Sequence, residues 1–152
     1  MKKTIITTLI AAASMGVSLA DDADGKAAYA MCAACHGADG KGMDVGAKKM
    51  APTLEKSKIV NGDASVFALV VLKGIKKEGD AHIGIMAPLE GVYSTDKKLA
   101  AVLTYVRKSF GNTSKPVTEE DAAKFRAKWK DHKEPVTRAK LAELQKAGAE
   151  KK

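Results

Sequence analysis

The chain has 152 residues, with 26 lysines and arginines against 18 acids, a formal net charge of +8 and aromatics at only 5%. The basic excess is spread in lysines without interleaved aromatics, and there is no glycine-rich phosphate loop, internal repeat or block of like charge, which weighs against nucleic-acid and nucleotide binding. So few aromatics leave an ordinary hydrophobic core thin, and a large apolar cofactor would help to fill it.

"MKKTIITTLIAAASMGVSLA" reads as a secretory leader. Lys2 and Lys3 supply the positive start, Ile5 to Ala13 a short apolar run, and Ser18 and Ala20 the small residues that cleavage before Asp21 needs. The run falls well short of the roughly 18 apolar residues of a membrane span. The expectation is export to the periplasm with cleavage after Ala20, and no later segment is apolar enough to span. The leader takes two basic residues and no acids with it, so residues 21–152 carry +6.

The remaining pattern is all helical, with no convincing alternation of period two. A first helix is predicted from about Asp24 to Ala33, running into "CAACHG". "HGADGKGMDVGAKKMAPTLEKS" is a long glycine-rich loop interrupted by Pro52. Asp63 can cap "ASVFALVVLK", which Gly74 would end. That helix is apolar nearly all round, as for a helix buried on most sides. "IKKEGDAHIGIMAPLEGVY" is a second irregular stretch. Next, Thr95 caps a helix in which Leu99, Val102, Leu103, Val106 and Phe110 make one stripe and Gly111 is the stop.

After "NTSKP" the composition changes. Thr118 caps a helix with Glu119 to Asp121 in its first turn and Ala122, Phe125 and Trp129 on one face. Pro135 breaks it, and Val136, a Thr137 cap and Leu141 are spaced for a hydrophobic staple on a last helix. The organisation is therefore a leader (1–20), a main domain (21–112) and a charged helical extension (113–152). The two final helices have narrow apolar stripes, so they must pack on the domain, pack on a partner or fray.

Cys32 and Cys35 are the only cysteines. A thioredoxin-type dithiol belongs beside a βαβ pattern, which is missing. A structural zinc site needs a second ligand pair. A disulfide between residues so close closes a tiny loop and stabilises little. His36, directly after Cys35, decides the matter, since C-x-x-C-H is the attachment signature of c-type haem. On a helical turn Cys32, Cys35 and His36 share one side. The two sulfurs can form thioethers to the haem vinyl groups, and the same face offers the His36 imidazole to the iron. For the sixth ligand the candidates are Met31, Met43, Met50, Met86, His82 and His132. Met86 is favoured, because it sits in an irregular stretch long enough to wrap across the haem and stiffened by Pro88. His82 is the runner-up, and His132 is expected to be exposed in the tail.

With these pieces in this order, the chain resembles a class I, single-haem, His/Met-ligated bacterial cytochrome c over about residues 24–112. "CAACHGADGKG" is similar to the family's haem-binding opening, "APTL" to its Pro–x–Leu element, and "IMAPLEGVYSTDKKLAAVLTYVRKSFGN" to its methionine loop and last helix. The resemblance implies an all-α cytochrome c fold around one covalent haem c, with Cys32 and Cys35 attached and His36 and Met86 as axial ligands. It also implies that the Pro52 carbonyl holds Nδ1 of His36, that Leu54 packs on the haem, and that Tyr29 and Tyr105 lie where the first and last helices cross. Three features depart from the family pattern: Ala87 intervenes between Met86 and Pro88, Tyr29 lies three residues before Cys32 where some members have one residue more, and Lys97 and Lys98 stand where acids are frequent.

With both axial positions filled by protein, the expected role is single-electron transfer between a dehydrogenase-type donor and an oxidase- or reductase-type acceptor, without catalysis. Residues 21–111 hold 13 basic and 11 acidic residues and residues 112–152 hold 11 and 7, so basic steering toward acidic redox partners rests on the tail or on local patches. Lys97 and Lys98 are one such candidate patch. The alternatives are a tightly bound subunit of a redox complex, clamped by Phe125, Trp129, Leu141 and Leu144, and a gas- or peroxide-binding haem protein with a labile Met86. No nucleic-acid partner is expected, and the oligomeric state is open.

Overall fold

A glycine decides how the two longest-separated helices of the main domain meet. The computed structural model describes residues 22–149, so the expected leader and its cleavage point lie outside the described residues. Helix α1 spans Asp22–His36, the hairpin β1–β2 pairs Asp44–Val45 with Lys48–Lys49, and α2 spans Lys58–Asn61. Then follow α3 (Ala64–Lys73), α4 (Asp96–Lys108), α5 (Glu119–Trp129) and α6 (Arg138–Ala149). Helices α1 and α4 cross at Gly25, where a β-carbon would stand 2.9 Å from Cβ of Tyr105 and 3.1 Å from the Ala101 carbonyl oxygen. Beside the crossing, Tyr29 packs its ring 5.3 Å from Tyr105 and 5.1 Å from Phe110 and donates its hydroxyl to the Gly37 carbonyl at 2.7 Å.

Helix α3 explains its own apolarity. Phe67, Ala68, Val71 and Leu72 join the cluster of α1 and α4, while Val66, Leu69 and Val70 join a second cluster with Val136 and Leu141 of the tail. With one side turned to each cluster, the helix needs apolar residues nearly all round. Its limits are set locally. Asp63 accepts the Ser65 amide at 2.7 Å, and Gly74 leaves the helix at φ +74°.

The tail packs on the domain. Val117 gives its amide to the Thr104 hydroxyl and takes that hydroxyl's proton on its carbonyl, at 2.9 and 3.0 Å. Thr118 and Asp121 then form a capping box, and Ala122 is fully buried against α4. Trp129 Nε1 donates to the Ser65 carbonyl at 2.7 Å. Thr137 accepts the Lys140 amide, and Val136 and Leu141, the stapled pair, are both buried.

Three sequence expectations are revised. Helix α1 reaches His36 rather than ending at Ala33, and Gly37 at φ +77° stops it. Helix α4 ends at Lys108, with Ser109 as its C-cap, so Phe110 is not part of its stripe. Phe110 instead adopts φ +58° and lays its ring over Gly40 and Tyr29, the tertiary contact overriding the helical period. His132, expected on the surface, is half-buried with its ring edge against Trp129.

Candidate haem-binding cleft

The last turn of α1 sets Cys32, Cys35 and His36 into one wall of a cleft of about 400 Å³. That volume lies within the range of roughly 300–1,000 Å³ typical of small-molecule and cofactor sites. The other walls come from Pro52 and Leu54 of the long loop, Phe67, Val70 and Val71 of α3, Met86 and Leu89 of the second loop, and Val102 and Val106 of α4. Both cysteines are free thiols.

The loop that supplies Pro52 is tied to the end of α1, where helix carbonyls lack intrahelical partners. Gly42 donates its amide to the His36 carbonyl at 2.7 Å and Met43 donates to that of Cys35 at 3.0 Å. Leu54 closes the return by donating to the Gly40 carbonyl at 2.7 Å. The Pro52 carbonyl thereby arrives 2.9 Å from Nδ1 of His36. A carbonyl only accepts, so the ring proton belongs on Nδ1 and the Nε2 lone pair is left free. Burial pushes the His36 imidazole below its usual value of 6.5, against the opposing pull of the Pro52 hydrogen bond and with a further push from His82. A neutral imidazole with one nitrogen fixed by a backbone carbonyl is the form that binds a metal.

Cys32 has a partner that the sequence did not suggest. Its sulfur lies 3.3 Å from the hydroxyl of Tyr93, which also donates to the Ala28 carbonyl at 2.9 Å. Burial pushes the Cys32 thiol up, the Tyr93 hydrogen bond opposes this, and Cys35 adds to the rise. The one hint in the sequence was a tyrosine just ahead of the Thr95 cap.

Met86 is half-buried, lines the same cleft, and packs against the cluster between α3 and the tail. Its carbonyl accepts the Ile75 amide at 2.9 Å. His82 and Met50 also line the cleft, so all six residues singled out from the sequence, together with the alternative ligand, converge there. Met43 and His132 do not line it. Met31 and Ile85 do, at 52% and 65% exposure, and form an apolar rim open to solvent.

A family model for cytochrome c matches residues 23–110. The chain belongs to the cytochrome c family. It is 31% identical over 137 residues to a cytochrome c-552 of Thermus thermophilus, covering 84% of this chain and 88% of that one. A second cytochrome c-552 of Thermus thermophilus is 30% identical over 115 residues, covering 70% of this chain and 86% of the relative. A match to 84% of the chain necessarily runs past residue 110, so the first likeness includes part of the tail. As a class I bacterial cytochrome c with an all-α fold, the protein implies covalently attached haem c and haem-based electron transfer. The cleft fits that group: two free thiols and a neutral imidazole share one wall, and apolar side chains make most of the rest. No helix among the described residues is long and apolar enough to cross a membrane.

Proposed function

We propose that this cytochrome c is a periplasmic single-electron carrier with one haem, held through Cys32 and Cys35 and ligated by His36 and Met86. The observation that carries the reading is the convergence of these four side chains on one apolar cleft, with the Pro52 carbonyl at Nδ1 of His36. The haem supplies a one-electron iron couple when bound. The chain's own groups hold and tune it. Pro52 fixes the His36 tautomer, and Leu54, Phe67, Val71 and Val106 keep water from the iron's surroundings. Met86 offers a thioether, which raises the potential relative to a second imidazole. With His36 and Met86 both holding the iron, the bound haem would have no position open to a substrate.

The electron would pass at the Met31–Ile85 rim, in brief encounters steered by charge. A dehydrogenase-type donor and an oxidase- or reductase-type acceptor with acidic docking surfaces suit the lysine excess. Residues 113–152 serve as a cover for domain 21–112. Phe125, Trp129 and Leu144 are packed against the protein's own clusters and Leu141 is buried, which favours a free shuttle over a subunit clamped through these residues.

The test is the optical spectrum of the haem-loaded protein, oxidised and reduced. The expected result is a thioether-linked haem spectrum with a Met–iron charge-transfer band that disappears in Met86→Ala and persists in His82→Ala. The reverse pattern would transfer the ligand role to His82. Rapid carbon monoxide binding by the reduced wild type would favour a labile Met86 and a gas-binding role.

A further inference from the structure

The tail meets the methionine loop at its root. Ile75 is flanked on both sides by extended backbone, antiparallel to Met86 and parallel to Val136. On one side its amide donates to the Met86 carbonyl at 2.9 Å. On the other, Val136 donates to the Gly74 carbonyl at 3.1 Å and accepts the Lys76 amide at 3.0 Å. Val136 is 1% exposed and belongs to the cluster against which Ile75 and Met86 also pack. A second tie lies just beyond, where Glu78 Oε2 accepts the Arg138 amide at the start of α6, at 2.9 Å.

Downstream of Met86 the loop is fastened to α3 as well. Leu89 donates to the Val71 carbonyl at 3.0 Å, and Lys73 Nζ lies 2.6 Å from Glu90 with its side chain 7% exposed. The upstream arm, residues 75–85, has no such tie to α3. Near Met86 it is held by the first long loop, where Ile83 and Gly84 donate to the carbonyls of Lys49 and Met50 at 3.0 and 2.8 Å, and at its root, residues 75–78, it is held by the tail. Displacing the Met86 backbone from the cleft would break the Ile75–Met86 bond, and this is easier if the Ile75 segment is itself free to shift.

We propose that the C-terminal extension latches the methionine loop, with Val136 and Glu78 as positioning residues that set how readily Met86 leaves the iron. The proposal rests on Met86 being the ligand. Local openings of this kind are governed by the few interactions they break rather than by global stability. One lost backbone hydrogen bond corresponds to about a fivefold change in an opening equilibrium.

Imidazole, a small competing ligand for ferric iron, reads that opening directly. Holoprotein variants Val136→Pro, which removes the amide donor while keeping an apolar side chain, and Glu78→Ala are titrated with imidazole. The limiting rate of binding at high imidazole is recorded as well. The latch predicts tighter apparent binding and a faster limiting rate, by about fivefold for Val136→Pro and about threefold for Glu78→Ala. Phe125→Ala, which loosens α5 against the other cluster, should move neither quantity beyond about the twofold scatter of a non-additive contact.

If Val136→Pro does not fold, exposed Glu78 still carries the test. Unchanged rates and affinities in the folded variants, or an equal change in Phe125→Ala, would overturn the latch. Met86→Ala separates this from the ligand reading. Retention of the Met–iron charge-transfer band there overturns that reading and the latch with it. Loss of the band there, with unaltered imidazole binding in the Val136 and Glu78 variants, overturns the latch alone.

Discussion

Gly74 lies directly against the backbone of Met86. A β-carbon at Gly74 would collide with the Met86 carbonyl oxygen and stand 2.9 Å from both the Ala87 carbonyl carbon and the Pro88 nitrogen. Its φ of +74° with ψ −177° is also a conformation that side chains resist. The residue that ends α3 therefore also sets how closely the methionine loop can approach it.

Gly74→Ala consequently combines backbone strain of about 1–3 kcal/mol with overpacking of about 1–3 kcal/mol. The expected result is a loss of about 3 kcal/mol in denaturant unfolding of the haem-loaded protein, together with a weakened Met–iron charge-transfer band. A loss below about 1 kcal/mol would mean that the loop yields freely and that its close approach is not enforced.

Asp63 predicts a pH dependence. Burial pushes its carboxyl up, but this is outweighed by the Ser65 hydroxyl and amide, the charge of Lys128 and the Val66 amide, so the group sits below its usual 3.8. A carboxylate with a depressed folded value stabilises fully above the ordinary value, and that stabilisation fades as pH falls through the folded one. Asp63→Ala should cost about 1 kcal/mol near neutrality, the typical value of an N-cap. The gap to the wild type should narrow as pH drops below 3.8. Urea midpoints measured across that range check this, and a gap that is constant with pH would show that the charge plays no part.

Arg107 is 6% exposed and holds the extended start of the tail, with no carboxylate among the described residues hydrogen-bonded to it. Its guanidinium donates to the carbonyls of Lys115 at 3.0 Å, Gly62 at 3.2 Å and Val60. Burial pushes its pKa down, with the charge of Asp63 partly opposing. A lysine cannot reproduce a fork of donors to three separate carbonyls. Arg107→Lys should therefore destabilise by about 2 kcal/mol and speed amide hydrogen exchange across residues 113–117. Protection unchanged in that segment would show that the bonds to Asn61, the Arg107 carbonyl and Thr104 suffice to hold it.

What the sequence made legible follows the range of the interaction. The start of α3 at Asp63, its end at Gly74 and the start of α4 at Thr95 are local chemistry, and all three stand where the residues indicated. The shared face of Cys32, Cys35 and His36 is likewise a matter of one helical turn. The end of α4 was misread because Phe110 answers to Tyr29 and Gly40, far earlier in the chain. Tyr93 was missed because its contact with Cys32 spans 61 residues. The all-round apolarity of α3 announced burial but not that the tail would supply one of its two covers. Strands of two residues, as in β1 and β2, are too short to leave any period.

The lysines at the start of α4 separate stability from docking. Lys97 Nζ lies 3.2 Å from Asp24 across the helix crossing, with the two side chains 62% and 52% exposed. Such an exposed pair stabilises by at most about 1 kcal/mol. Against this, two cations in a first turn oppose the helix dipole by some tenths of a kcal/mol each. The terms nearly cancel, so Lys97→Gln with Lys98→Gln should leave stability within about 0.5 kcal/mol. Electron transfer to an acidic redox partner should respond differently. If this corner docks the partner, the double variant reacts more slowly at low salt, and its rate falls less steeply as salt rises. Stopped-flow rates over a range of ionic strength make the comparison, and an unchanged salt slope would remove Lys97 and Lys98 from the docking surface and leave the steering to the lysines of the tail.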